Sequence, residues 1–132
     1  MQIASRVGAK LKGGEVIQLV GDLGAGKTAF VKGLAKGMGS EDEVASPTFT
    51  ISRIYDCAND IQLCHYDFYR LDDPGIMASE IEDLARDPKS VIAIEWSDIV
   101  KDVLPEDSII VTFAATSEES RKIAIAATEK YL

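Results

Sequence analysis

The chain has 132 residues, 46% hydrophobic and 27% charged, and its 22 acidic against 14 basic side chains leave a net charge of −8. That length suits one domain with a sizeable core, and neither an apolar run of ~20 residues nor the apolar core of a secretory signal is present, so a cytoplasmic location without membrane contact is expected. No basic stripe offers nucleic-acid phosphates a grip; if the chain serves a nucleic-acid pathway, a partner is expected to hold the nucleic acid.

Ile3, Val7 and Leu11 recur at i, i+4 and i+8 and predict a short opening helix that Gly13-Gly14 ends. Glu15 to Val20 is apolar and β-branched, a strand candidate. Gly21-Asp22-Leu23-Gly24-Ala25-Gly26-Lys27-Thr28 then fits G-x-x-x-x-G-K-[ST], a phosphate-binding loop. Its glycines let backbone N–H groups curl around phosphate oxygens where a side chain would collide. Lys27 reaches the outer phosphates as a point charge, and the Thr28 hydroxyl is a magnesium ligand. Lys27 to Met38 reads as a helix, with Phe30, Val31, Leu34 and Met38 on one face and Gly39 as its stop. Strand, loop and helix together aim a helix N-terminus at an anion.

Ser40 to Pro47 is a polar, acidic connection. In Ser46-Pro47-Thr48-Phe49-Thr50, proline stiffens the backbone and two hydroxyls flank an aromatic anchor. That suits a switch in which Thr48 senses the outer phosphate and its metal; a plain turn entering a strand is the alternative. Phe49 to Tyr55 and Ile61 to Phe68 read as two strands around an Asn59-Asp60 turn. Were the hairpin centred between Asp60 and Ile61, Cys57 and Cys64 would face each other, although two free thiols are expected in a reducing cytosol. With one histidine in the chain, His65, no zinc-ligand spacing forms.

Asp67 ends the second of these strands among aromatic and basic neighbours, where it is a candidate metal-shell ligand or base for a water molecule; an ion pair with Arg70 is the structural alternative. His65 reads as a hydrogen-bonded structural residue ahead of a catalytic one. Asp72-Asp73-Pro74-Gly75 breaks the chain, and Ile81, Leu84 and Ala85 then mark a modest helix ending before Pro88. Val91 to Trp96 is an apolar run closed by Glu95, the pattern of a central parallel strand. In phosphate-loop proteins a carboxylate at that position lies beside the loop, where Glu95 is a candidate to hold magnesium or polarise water; a solvated residue at a strand end is the alternative. Charging it against five apolar neighbours is costly unless a cation is near. Trp96 is placed to pack over the nucleotide site or simply on the core. Ser97 or Asp98 is the expected cap of a short helix through Val103, and Ser108 to Phe113 and Lys122 to Ala126 are expected to be late strands joined by residues 116–120. Without repeats or linkers, residues 1–132 read as a single α/β domain.

The segments Gly21 to Thr28, Ser46 to Thr50, His65 to Leu71 and Ile94 to Trp96 together resemble the TsaE (YjeE) family, small bacterial ATPases of tRNA threonylcarbamoyladenosine synthesis. The loop alone is widely shared; SPTFT followed by H-x-D-x-Y-R-L and E-W is specific, and the likeness spans nearly the whole chain. The resemblance implies a P-loop NTPase-like fold, a mixed and mostly parallel β-sheet flanked by helices, binding ATP and Mg2+. It implies work with the TsaD and TsaB proteins in forming the threonylcarbamoyl group on adenosine 37 of tRNAs reading codons that begin with A, with tRNA met indirectly through the complex. By this likeness Lys27 contacts phosphates, Thr28 and Glu95 hold magnesium, and Asp67 and Thr48 belong to the hydrolytic site. Two departures stand out. Met1 falls where a Thr precedes the family's first helix, so an early strand and an adenine contact are expected to be missing, and the family's basic residue near the nucleotide is matched by Arg121.

Two other readings compete. A small-molecule kinase would need arginines on a lid to neutralise the transferred group, and Arg6, Arg53, Arg70, Arg86 and Arg121 do not cluster in sequence. A non-catalytic scaffold would use ATP only to order residues 46–50. The chain carries no N-K-x-D guanine-reading motif. With no arginine finger in evidence, hydrolysis by the chain alone is expected to be slow and partner-stimulated.

Overall fold

The computed structural model describes residues 2–21, 24–41, 52–68, 75–105, 107–115 and 121–126. In chain order they form helix α1 (Gln2–Lys10), strand β1 (Val16–Val20), helix α2 (Gly24–Gly37), strands β2 (Ser52–Asp56) and β3 (Gln62–Asp67), helix α3 (Met77–Ala85), strand β4 (Ser90–Glu95), a 3₁₀ segment (Ser97–Val103), and strands β5 (Ile109–Ala115) and β6 (Arg121–Ala126). The six strands make one sheet in the order β2-β3-β4-β1-β5-β6. β4 pairs parallel with β3 and β1, and β1 pairs parallel with β5, while β2 and β6 add antiparallel edges. The expected mixed, mostly parallel α/β architecture is what forms.

Alternation along each strand sends side chains to two separate cores. On one face Ile17, Leu19, Leu63, Val91, Ala93 and Val111 pack with Val7 of α1 and Phe30, Val31 and Leu34 of α2. On the other, Val16, Cys64, Tyr66, Ile92 and Ile94 pack with Ile81 of α3 and Val100. β4 is buried at all six positions, as its apolar run requires of a strand covered on both faces. α1 and α2 meet through glycines: a Cβ on Gly8 would lie 2.4 Å from Leu34 O, and one on Gly37 would lie 2.1 Å from Ser5 O.

The structure differs from the sequence reading in three places. α2 begins at Gly24, not Lys27, because the loop glycines wind directly into its first turn. The β2–β3 hairpin is centred on Asn59, with Asp56 opposite Gln62 and Ile54 opposite Cys64, so the two cysteines do not face each other and neither forms a disulfide. Asn59 and Asp60 adopt left-handed φ of 63° and 61°, which Asn and Asp tolerate better than most residues, and this tight 3₁₀ turn sets the register. Finally, Trp96 is the N-cap of the segment after β4, and no side chain caps it. Ser97 instead donates its hydroxyl to Gln18 Oε1 at 2.9 Å.

Candidate functional site

The site forms where β1 gives way to α2. Gly21 turns the chain with φ of 123°, and a Cβ there would come within 2.4 Å of Phe113 O, so conformation and space both require glycine. Phe30 on α2 packs edge-on against Phe113 of β5, ring centroids 5.7 Å apart, and fixes the helix beside the sheet. The first turn of α2 thus carries Gly24, Ala25, Gly26, Lys27 and Thr28 at the end of β1. Its leading N–H groups have no intrahelical acceptors, and the helix dipole adds partial positive charge there.

Lys27 is only 2% exposed, an unusual condition for a lysine. Its ammonium lies over the Trp96 indole, 4.5 Å from the ring centroid. Trp96 holds this place in a left-handed conformation, φ 58° and ψ 52°, which for a bulky residue costs on the order of 1–3 kcal/mol and recurs at functional sites. Thr28 is half-buried one residue further along.

Glu95 closes β4 between β1 and β3, in register with Leu19 on one side and Asp67 on the other. Leu19 belongs to the core beneath α1 and α2, so Glu95, and Asp67 and His65 across from it, point to the face that carries α2. Phe68 N donates to Glu95 O at 3.1 Å and carries the pairing one residue past β3. Within this group His65 Nε2 bonds Glu95 Oε2 at 2.8 Å, with both residues buried. His65 Nδ1 is buried without a hydrogen-bond partner among the described residues.

The structure therefore brings Lys27, Thr28, Glu95 and Asp67 to one end of the sheet, with Trp96 beside them. Arg121 opens β6 opposite Ala115, at the C-terminal end of β5 and so at the same end of the sheet, two strands from β1. Asp22, Leu23, Thr48 and the whole Ser46 to Thr50 segment lie outside the described residues, as does Arg70, the alternative partner of Asp67. The expectation of a hydrogen-bonded His65 holds. The sequence reading names Glu95 but not its bond to His65, although His65 lies two residues before Asp67 in a strand next to one ending in a carboxylate. The contact of Lys27 with Trp96 was likewise not foreseen.

The donor set suits magnesium. A hydroxyl at a helix N-terminus and a buried carboxylate whose Oε2 is already engaged are hard oxygen donors, few in number, which is how Mg2+ is held when phosphates and water complete its octahedron.

Comparison with known proteins points to one family. The family model described as "Threonylcarbamoyl adenosine biosynthesis protein TsaE" matches residues 1–123. The tRNA threonylcarbamoyladenosine biosynthesis protein TsaE of Bacillus subtilis is 38% identical over 131 residues, which cover 95% of this chain and 77% of that one. The protein of the same name from Treponema pallidum is 36% identical over 124 residues, covering 91% and 87%. Among solved structures, the crystal structure of Bacillus subtilis YdiB superposes with a TM-score of 0.69 at 30% identity, covering 98% of this chain and 79% of that one.

Proposed function

The chain belongs to the TsaE family of threonylcarbamoyl adenosine biosynthesis proteins, and from that premise we propose that it is the ATP-binding and ATP-hydrolysing subunit of a cytoplasmic tRNA-modifying assembly, acting with TsaD and TsaB. The supporting observation is that a buried lysine in the first turn of α2 and a buried glutamate at the end of β4 lie at the same end of the sheet. Both are costly to bury, and a phosphate–cation ligand gives both a use.

In this reading the loop residues Asp22 to Thr28 would hold the ATP phosphates, with the Lys27 ammonium as their cation. Thr28 and Glu95 hold magnesium, which when bound offsets the negative charge of the outer phosphates. Asp67, beside Glu95, would orient the attacking water together with Thr48, and Arg121 would serve as the basic residue for the nucleotide. Adenosine 37 of tRNA is reached through the partners. No helix among the described residues is long and apolar enough to cross a membrane.

The test is ATP turnover by the purified chain, alone and with TsaD, TsaB and tRNA. Slow turnover that rises severalfold or more on addition of the partners is expected; a positioned group supplied in trans is worth up to ~10³–10⁵ in related chemistry. Turnover indifferent to them would remove the assembly from the proposal.

A further inference from the structure

We propose that His65 is a positioning residue: by donating from Nε2 to Glu95 Oε2 it holds that carboxylate in one orientation, and so sets how well the end of β4 takes a divalent cation. The inference rests on the ATPase reading above and deepens it. An ionised carboxylate only accepts hydrogen bonds, so the bond at 2.8 Å puts the hydrogen on Nε2. The ring has little freedom to do anything else. His65 is 0% exposed, and its backbone is locked mid-sheet between Arg53 of β2 and Ala93 of β4.

A histidine present only to satisfy the core would have both nitrogens paired, since buried polar atoms rarely go without partners. Here Nδ1 has none among the described residues, and the bond to Glu95 is the ring's described polar contact. The ring thus puts its described donor on one carboxylate oxygen. Removing that donor frees the carboxylate to turn, and metal-ligating carboxylates depend on such outer partners for orientation.

His65 is the one histidine in the chain, so ¹⁵N-histidine labelling of the full-length protein yields a single pair of ring nitrogens. The expected spectrum has the hydrogen on Nε2, slow to exchange, with its signal displaced in Glu95→Gln; a ring protonated on Nδ1 alone overturns the proposal. The second measurement is calorimetric binding of a non-hydrolysable ATP analogue across a magnesium series. His65→Phe fills the ring's volume without a donor and is expected to need about 10–100-fold more magnesium for the same effect, with magnesium-free binding unchanged. His65→Gln, whose side-chain amide donates from a comparable reach, is expected to recover most of the loss. Wild-type magnesium dependence in His65→Phe overturns the proposal. Should His65→Phe fail to fold, His65→Asn, whose shorter amide stops at the Nδ1 position and offers Glu95 no donor, takes its place with the same expected loss and the same overturning result. Absence of any magnesium effect in the wild type would instead sink the metal assignment of the ATPase reading itself, before any variant is compared.

Discussion

Two buried ionisable side chains carry the functional proposal, and each makes a different prediction. Lys27→Ala removes the charge meant for phosphate and is expected to abolish detectable ATP binding by calorimetry. Glu95→Ala leaves the cradle and Lys27 in place, so it is expected to keep part of the affinity while losing magnesium-dependent turnover; wild-type turnover in that variant would end the metal assignment. A third buried group behaves in the opposite way. Burial, with help from the Asp87 and Glu80 carboxylates, pushes the Cys64 thiol up from 9.0 to about 11. Between those values the unfolded chain has released this proton and the folded one keeps it, so the unfolded state binds fewer protons and stability falls as pH rises from about 9 to about 11. Below that window the contribution is complete. Two pH units also mean about 100-fold less thiolate near pH 8.5, before restricted access is counted. Iodoacetamide should therefore label half-buried Cys57 in the native protein and Cys64 only after denaturant is added, as mass spectrometry of digests will show. Equal labelling of both thiols would mean the β3 interior opens far more readily than its burial implies.

At the scale of elements, the contact between α1 and α2 is decided by two positions with no side chain. Alanine is the better helix former by about 1 kcal/mol, so an isolated helix would gain from Gly37→Ala. In this fold the new methyl carbon would lie 2.1 Å from Ser5 O and 3.0 Å from Ala9 N, backbone atoms that move only if the helices separate. Overpacking of that kind typically costs about 1–3 kcal/mol, which exceeds the gain. The variant is thus expected to unfold at lower denaturant with an unchanged slope, and a higher midpoint would show that the helix pair is looser than drawn. This close approach was not legible in the sequence, where Gly8 and Gly37 are ordinary interruptions of helical patterns. What could be read was periodicity: the presence of α1 from Ile3, Val7 and Leu11, although Ile3 itself is exposed and Ala4 takes its place in the core, and β4 from its unbroken apolar run. Register was beyond reach, because the left-handed Asn59 and Asp60, not the flanking strands, place Cys64 opposite Ile54. The site was half legible for a related reason. The loop and Glu95 announce themselves by residue type and spacing, whereas the His65–Glu95 bond and the Lys27–Trp96 contact exist only once strand order puts β3 beside β4 and β4 beside β1.

For the whole molecule, charge limits how it serves a tRNA pathway. With eight more acidic than basic side chains, approach to a polyanion is repulsive on average, and no run of Lys or Arg interrupts that balance. Proteins that grip nucleic acid gain most of their affinity by displacing counterions with clustered cations, and the sequence offers no run of them. Lys27 does not supply one, being buried over Trp96 and committed to the nucleotide in the proposed reading. The chain alone is therefore expected to leave the anisotropy of labelled tRNA unchanged at low salt up to protein concentrations on the order of 100 μM, the weak end of usual non-specific binding. With TsaD and TsaB present, it should enter a tRNA-containing complex whose salt dependence is set by them, so that adding this subunit leaves the slope of log affinity against log salt unaltered. A steeper slope on its addition would mean that the chain itself displaces counterions, and would move tRNA from an indirect partner to a direct one.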